Sequence, residues 1–339
     1  MSIFLFRNGG GMRRFCAICF VMLFCVIALA ETPNDSNPLF LIRKHFQYGY
    51  IDNTGKVVIN PIYDVAKNFS EGRARVESKR KWGYIDKTGK IIIETQYDDA
   101  GDFSEGLAKV KIDGKYGFID KTGKIIINPQ FNRAKNFSEG LAWVETNGEY
   151  GCINRMGKYI FKPKYDEVDS FSEGLASVKI GEKWRYIDKT GKIVIDSQFD
   201  WAGDFSEGRA WINIGGWISG KYGYINKTGK IVINPQYDNA GYFSEGLVNV
   251  EIGGVSGFID TAGKIIINPQ FDWAGEFSEG LAKVKINTKW RFIDKTGQIV
   301  IKAQFDEVES FIHGLAQVKI GDKYGYIDKT GKYIWEPTK

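Results

Sequence analysis

A period of 34 residues runs through this chain from near residue 39 to its last residues, and it limits the choice of fold more than any other feature. Periods of roughly 20–50 residues belong to solenoids, propellers and arrays, in which one copy cannot bury its apolar face without a neighbour. A glycine after an aromatic recurs at Gly49, Gly83, Gly117, Gly151, Gly223, Gly257 and Gly325, with Arg185 and Arg291 in its place in two copies. A second glycine closes a turn in every copy, from Gly55 to Gly331, and a third follows "FSE", as at Gly106 and Gly140. Ile51, Ile85, Ile119, Ile153, Ile187, Ile225, Ile259, Ile293 and Ile327 fill one column, and Phe69 through Phe311 fill another. Such columns read as stacked core layers. The register slips once, by four residues within Gly215–Gly220.

Each unit reads as strands joined by turns. In Leu107–Ile112 the residues Ala108, Val110 and Ile112 alternate with Lys109 and Lys111, the period-two pattern of a half-buried strand. Tyr116–Asp120 forms the second strand, and Gly123 in the turn after it supplies the positive φ of a short hairpin. Ile125–Ile127 is apolar on consecutive positions, which predicts a third strand covered on both faces, ended by Pro129. Units start near 39, 73, 107, 141, 175, 209, 247, 281 and 315, so residues 39–339 hold nine tandem units after a short linker at 31–38. The worn first copy and shortened last copy read as caps. A propeller typically has four strands per blade and about four to eight blades. Three-stranded antiparallel units in nine copies therefore predict an all-β, open superhelical array, with a closed propeller-like ring as the alternative.

Residues 1–30 carry Arg7, Arg13 and Arg14 without acids, then an apolar run from Phe15 to Leu29 and the ending Ala28-Leu29-Ala30. This is the pattern of a cleaved signal peptide, and the run is shorter than the roughly 20 residues a spanning helix needs. The reading makes the protein exported, with no stable membrane span after cleavage. Cleavage removes Cys16, Cys19 and Cys25 and leaves Cys152, too few thiols for an internal disulfide. It also leaves 43 basic residues against 41 acidic ones, interleaved along the chain, which argues against a nucleic-acid partner.

The signature aromatic-Gly-x-Ile-(Asp/Asn)-x-x-Gly-Lys, followed by "P-x-(Phe/Tyr)-Asp" and "F-S-E-G-L-A", resembles the WG (KWG) repeat of bacterial proteins. Trp82-Gly83 is the literal W-G of the motif, and Tyr-Gly is commoner. The resemblance covers Leu39 to the C-terminus. It implies short β-hairpin units in tandem, often behind an export signal, and brings no catalytic residues with it.

The chemistry-bearing motifs have plainer readings. Lys-Thr-Gly recurs six times and S-x-x-K occurs at Ser78–Lys81, but without S-D-N or a helical context these are turn residues rather than a serine enzyme. The acidic columns, Glu71 to Glu279 and Asp64 to Asp306, lack the glycine-aspartate density of a calcium roll and read as side chains bonding to turn backbone. His45 and His313 stand alone, and Cys152 reads as a small core residue. No catalytic, cofactor or metal-binding residues are expected. Two columns vary while their neighbours do not: Val65, Asp99, Arg133, Glu167, Trp201, Asn239, Trp273, Glu307 in the connector, and Arg75, Lys109, Trp143, Ser177, Trp211, Asn249, Lys283, Gln317 on the first strand. Large side chains that a core does not demand belong on a surface. Trp143, Trp201, Trp211, Trp217 and Trp273 are thus the candidate partner-binding residues, an exposed aromatic strip unless the rings pack between connectors. The expectation is a non-enzymatic binding or scaffold protein of the cell envelope. Its partner is an unidentified protein or, alternatively, a cell-surface glycan held by the tryptophans.

Overall fold

The computed structural model describes residues 37–338, apart from the side chains of 217 and 218, so the expected signal peptide lies outside the described residues. Each unit folds as a small antiparallel sheet. In the third, Leu107–Ile112 pairs with Lys115–Asp120, Val110 facing Gly117 and Ala108 facing Ile119. Lys115–Asp120 pairs in turn with Ile125–Phe131 through a bulge that sets Phe118 against Ile127 and Tyr116 against Phe131. The connector adds a fourth strand of two residues, with Asp99 opposite Lys111 and Ala100 opposite Val110. Seven sheets have this four-stranded form. The first, Phe40–Tyr63, has three strands, and so has the fifth, where a single Val168–Val178 bridge replaces the short strand.

The nine sheets form a closed propeller ring, which corrects the open superhelical array in favour of its alternative. The decisive contact is the turn glycine. Gly89 lies on Ile59 of the sheet before it, Gly123 on Ile93, and so on to Gly331 on Ile301. The series does not end there: Gly55 of the first sheet lies on Ile334 of the ninth, where a Cβ would stand 2.2 Å from the carbonyl oxygen. At this seam Phe40, Ile42, Ile51, Leu315 and Tyr326 form one buried cluster. The Tyr326 hydroxyl donates to the Leu41 carbonyl at 2.7 Å, and the Thr338 hydroxyl to that of Arg43 at 3.0 Å. The expectation went astray because two-residue strands carry no readable alternation, so the units looked three-stranded.

The core lies between blades. Ala108, Val110 and Ile119 pack with Tyr84, Ile93 and Tyr97 of the blade before, while Leu107, Phe118, Ile127 and Phe131 pack with Phe137, Val144 and Ile153 of the blade after. Period-two alternation therefore gives each neighbour one face of the sheet. The phenylalanine column meets the aromatic column of the preceding blade edge-on, as Phe118 and Phe137 do at 4.9 Å. The Ile125–Phe131 strand departs from its expected double cover. It is the outer edge, burying Ile127 and Phe131 while Ile125 and Ile126 are about 40 % exposed. Comparable exposed pairs at Ile193/Val194 and Ile265/Ile266 place aliphatic side chains around the rim.

The "FSEG" loops join blades at the opposite, axial edge. Each serine hydroxyl from Ser70 to Ser278 donates to the phenylalanine carbonyl of the next loop at 2.7 Å. Each glutamate carboxylate accepts the next loop's glycine amide, as Glu71 does from Gly106 and Glu279 from Gly314. The glutamates hold left-handed backbones, φ 49–55°, a costly conformation for a side chain that these bonds offset. Lysines of the turns reach the same carboxylates, Lys121 to Glu71 and Lys189 to Glu139 at 3.0 Å. Thus the glutamates tie loop to loop across blades rather than closing their own turns. Ile312 and His313 take the Ser-Glu positions at the last loop, which faces the seam.

Candidate functional site

The variable first-strand column lies largely between blades, which corrects its reading as surface. Four of its members reach the short strand of the next blade: Arg75 to the Ala100 carbonyl, Lys109 to Ala134, Asn249 to Ala274 and Lys283 to Val308. Trp143 belongs to the same column and is 2 % exposed, so it is unavailable to a partner. It stacks in parallel on Phe171 at 5.6 Å. Its cross-strand neighbour is Cys152, which stands where other blades have the aromatic that meets the phenylalanine column. The indole fills the space that the small thiol leaves, and Lys135 supplies the donor to Val168 that a residue in the tryptophan's place would have given. Burial pushes the Cys152 thiol up to about 12, which suits a packed side chain and not a nucleophile.

Trp211 is also packed between blades, half-buried against Tyr222 at 5.6 Å and Tyr242 at 6.2 Å. Gly203 makes room for it, since a Cβ there would lie 2.2 Å from the indole. Trp217 lies in a one-turn helix, Gly216–Ser219, formed by the four-residue insertion, and its side chain is outside the described part of the structure. Trp201 and Trp273 remain on the surface, 37 % and 42 % exposed. They do not meet. Trp201 stacks obliquely on Trp184 of the preceding blade at 6.4 Å, and Trp273 stands edge-on to Trp290 of its own blade at 5.1 Å. The four candidate tryptophans whose side chains are described thus form no continuous strip.

The Trp273–Trp290 pair lines an open cleft of about 700 Å³ with Asp272, Lys283, Lys285 and Thr288. Ligand clefts commonly fall in the range of about 300–1,000 Å³ and combine aromatic walls with a few polar groups. Its floor follows from strand register. Trp273 on the short strand is opposite Lys285, and Lys285 is opposite Trp290, so an ammonium stands between two indoles on one face. Lys285 Nζ is 5.8 Å from the Trp290 ring centre, and Lys283 Nζ about the same distance from both rings. Asp272 accepts the Asn287 amide through Oδ2 at 2.7 Å. Asp98, Asp200, Asp238 and Asp306 of its column each hold a lysine 17 residues earlier, whereas Asp64, Asp166 and Asp272 have Gln47, Glu149 and Val255 at that place. Sequence reading found Trp273 and missed Trp290, which sits in an otherwise ordinary aromatic column. The signal was a tryptophan on each side of one lysine once the strands are laid in register.

A second polar group lies at the axial edge. Burial and the neighbouring Asp169 push the Asp204 carboxyl up to about 7, against the pull of Lys135. Its Oδ1 is buried without a hydrogen-bond partner among the described residues. Tyr186 and Tyr242 face it with raised pKa values, chiefly from burial. No group of three or more potential metal ligands occurs among the described residues, and no helix there is long and apolar enough to cross a membrane.

The family described as WG containing repeat matches eight successive segments, at 48–82, 82–116, 116–150, 150–184, 184–216, 222–255, 257–290 and 290–324. No curated protein sequence matches the chain. Among solved structures it is similar to one described as the eukaryotic initiation factor, with TM-score 0.64 and 11 % identity over 89 % of this chain and 98 % of that one. Similarity to the dihydro-heme d1 dehydrogenase NirN, solved in complex with DHE, has TM-score 0.47 and 13 % identity over 87 % and 72 % of the chains. Citrobacter koseri AztD gives TM-score 0.44 and 12 % identity over 89 % and 93 %. At these identities the likeness to the first is one of fold, and the other two carry no argument.

Proposed function

From the premise that this chain belongs to the WG-repeat family, we propose that it is a non-enzymatic binding protein, exported to the cell envelope, that holds its partner at the Trp273–Trp290 cleft. One observation carries the reading: Trp273, expected at the surface, lines a cleft with a second indole and charged side chains. At Trp143 and Trp211 the departures from the repeat are absorbed by packing. Nucleophile, base and orienting group do not converge at this cleft, which favours recognition over catalysis. An aromatic anchor beside polar groups serves both a protein partner and a glycan. The test is retention of envelope components on immobilised protein. Trp273→Ala should lose the bound component that wild type keeps, whereas Trp201→Ala should keep it; equal retention by Trp273→Ala overturns the reading.

A further inference from the structure

Rows of residues cross the blades at the level of the cleft, and four of them balance their own charge, whereas Val65–Glu77–Trp82 and Asn239–Glu251–Ser256 carry an acid without a cation and Trp201–Asn213–Tyr222 carries no charge. In each, a connector residue, a first-strand residue and a second-strand residue stand side by side on one face. Arg133, Glu145 and Tyr150 make one row, with the guanidinium 3.2 Å from the carboxylate. Glu167, Lys179 and Trp184 make another, with the pair at 2.7 Å. Glu307, Lys319 and Tyr324 make a third, at 2.5 Å. In the row of Asp99, Lys111 and Tyr116 the acid accepts the tyrosine hydroxyl at 2.6 Å beside the lysine. These rows neutralise themselves next to an aromatic ring. The row Trp273, Lys285, Trp290 keeps the cation and replaces the acid by an indole, and Lys285 makes no ion pair among the described residues.

Resting on the binding-protein reading, we propose that this cleft takes a saccharide bearing a carboxylate, with the sugar ring against Trp273 and the carboxylate on Lys285. The ligand's carboxylate takes the place of the acid that stands beside Lys111, Lys179 and Lys319 in their rows, a charge-assisted bond between ammonium and carboxylate. The negative face of an indole attracts the polarised C–H edge of a pyranose, and two indoles at a steep angle provide a wall and a floor. Asp272, without the lysine that four of its counterparts hold, offers an acceptor for ring hydroxyls, and Thr288 a further polar group at the rim. The cleft is open rather than deep, which suits a ring lying flat on a surface better than a peptide side chain inserted into a socket.

The experiment is a tryptophan-fluorescence and calorimetric titration of the whole mature protein with oligogalacturonate, oligomannuronate and chondroitin fragments, each beside its carboxyl-reduced form. An acidic member should bind about tenfold or more tightly than its reduced counterpart. Lys285→Gln should abolish that preference, Lys285→Arg should keep it, and Trp273→Ala should remove binding of both forms. Lys285 and Trp273 are surface side chains, and unchanged melting of the variants will confirm that they fold. Equal binding of the reduced form, an acid preference surviving Lys285→Gln, or no binding of any acidic member overturns the inference. The envelope-retention test with Trp273→Ala fails or succeeds independently of these outcomes, so the two readings fall separately.

Discussion

Cys152 and Trp143 are a single adjustment written at two positions. The thiol vacates an aromatic site, the indole enters from the facing strand, and Phe171 is covered as its counterparts are. Trp143→Ala should therefore cost about 3–5 kcal/mol, the usual range for emptying a large buried ring site. The double substitution Trp143→Lys with Cys152→Phe, which restores the pattern of the Leu107 unit, should cost less than the sum of its parts in denaturant melts; additive costs would show that the two do not share a space. Asp204 permits a pH test of the axial edge. Its carboxyl is raised in the fold to about 7, so the folded protein holds a proton that the unfolded chain releases near pH 4. Below that pH the group is neutral in both states and has no effect. Stability falls as the pH climbs from about 4 to 7, and the loss persists above. Asp204→Asn should accordingly raise the melting temperature at pH 8 and leave it unchanged at pH 4. Lys135, Asp169, Tyr186 and Tyr242 remain in place in both measurements.

At the level of strands and loops, much was legible because a repeat writes each requirement many times. The alternation of Leu107–Ile112 located a strand with two apolar neighbours, and the isoleucine and phenylalanine columns located the core between units. The outer strand was misread because Ile125–Ile127 has the composition of a covered strand, although only alternate side chains find a neighbouring blade. Two-residue strands such as Asp99–Ala100 were invisible, being shorter than any periodicity. The glycine after the aromatic has a cause that spacing alone could not supply. At Gly117 a Cβ would stand 2.4 Å from the Ile127 carbonyl, where the outer strand bulges at Asn128-Pro129. The outer strands facing Arg185 and Arg291 carry Asp196-Ser197 and Lys302-Ala303 in place of Asn-Pro, and Arg185 bonds Asp196 at 2.8 Å. The cleft was half legible: Trp273 stood out in its column, while Lys285 and Trp290 gained meaning only through register.

For the whole molecule, closure depends on the contact between the first and ninth blades, which have no strand in common. Tyr326→Phe removes the hydrogen bond to Leu41 across that seam, together with the one accepted from Gln317 in its own blade, and should lower stability by about 1–2 kcal/mol. If the array were open in solution, Gln317→Ala, which removes the bond within the blade alone, would cost as much as Tyr326→Phe, and scattering would exceed the radius of gyration of about 19–20 Å expected for a compact chain of this length. The seam has a wider consequence. Since every sheet is complete within a contiguous stretch of chain, and Thr338 lies beside Arg43, the ring is indifferent to where its circumference is cut. A circular permutant that leads from Thr338 back to the start of the first strand at Phe40 through a linking peptide, and opens at another hairpin, would carry the same wheel with a different spoke first.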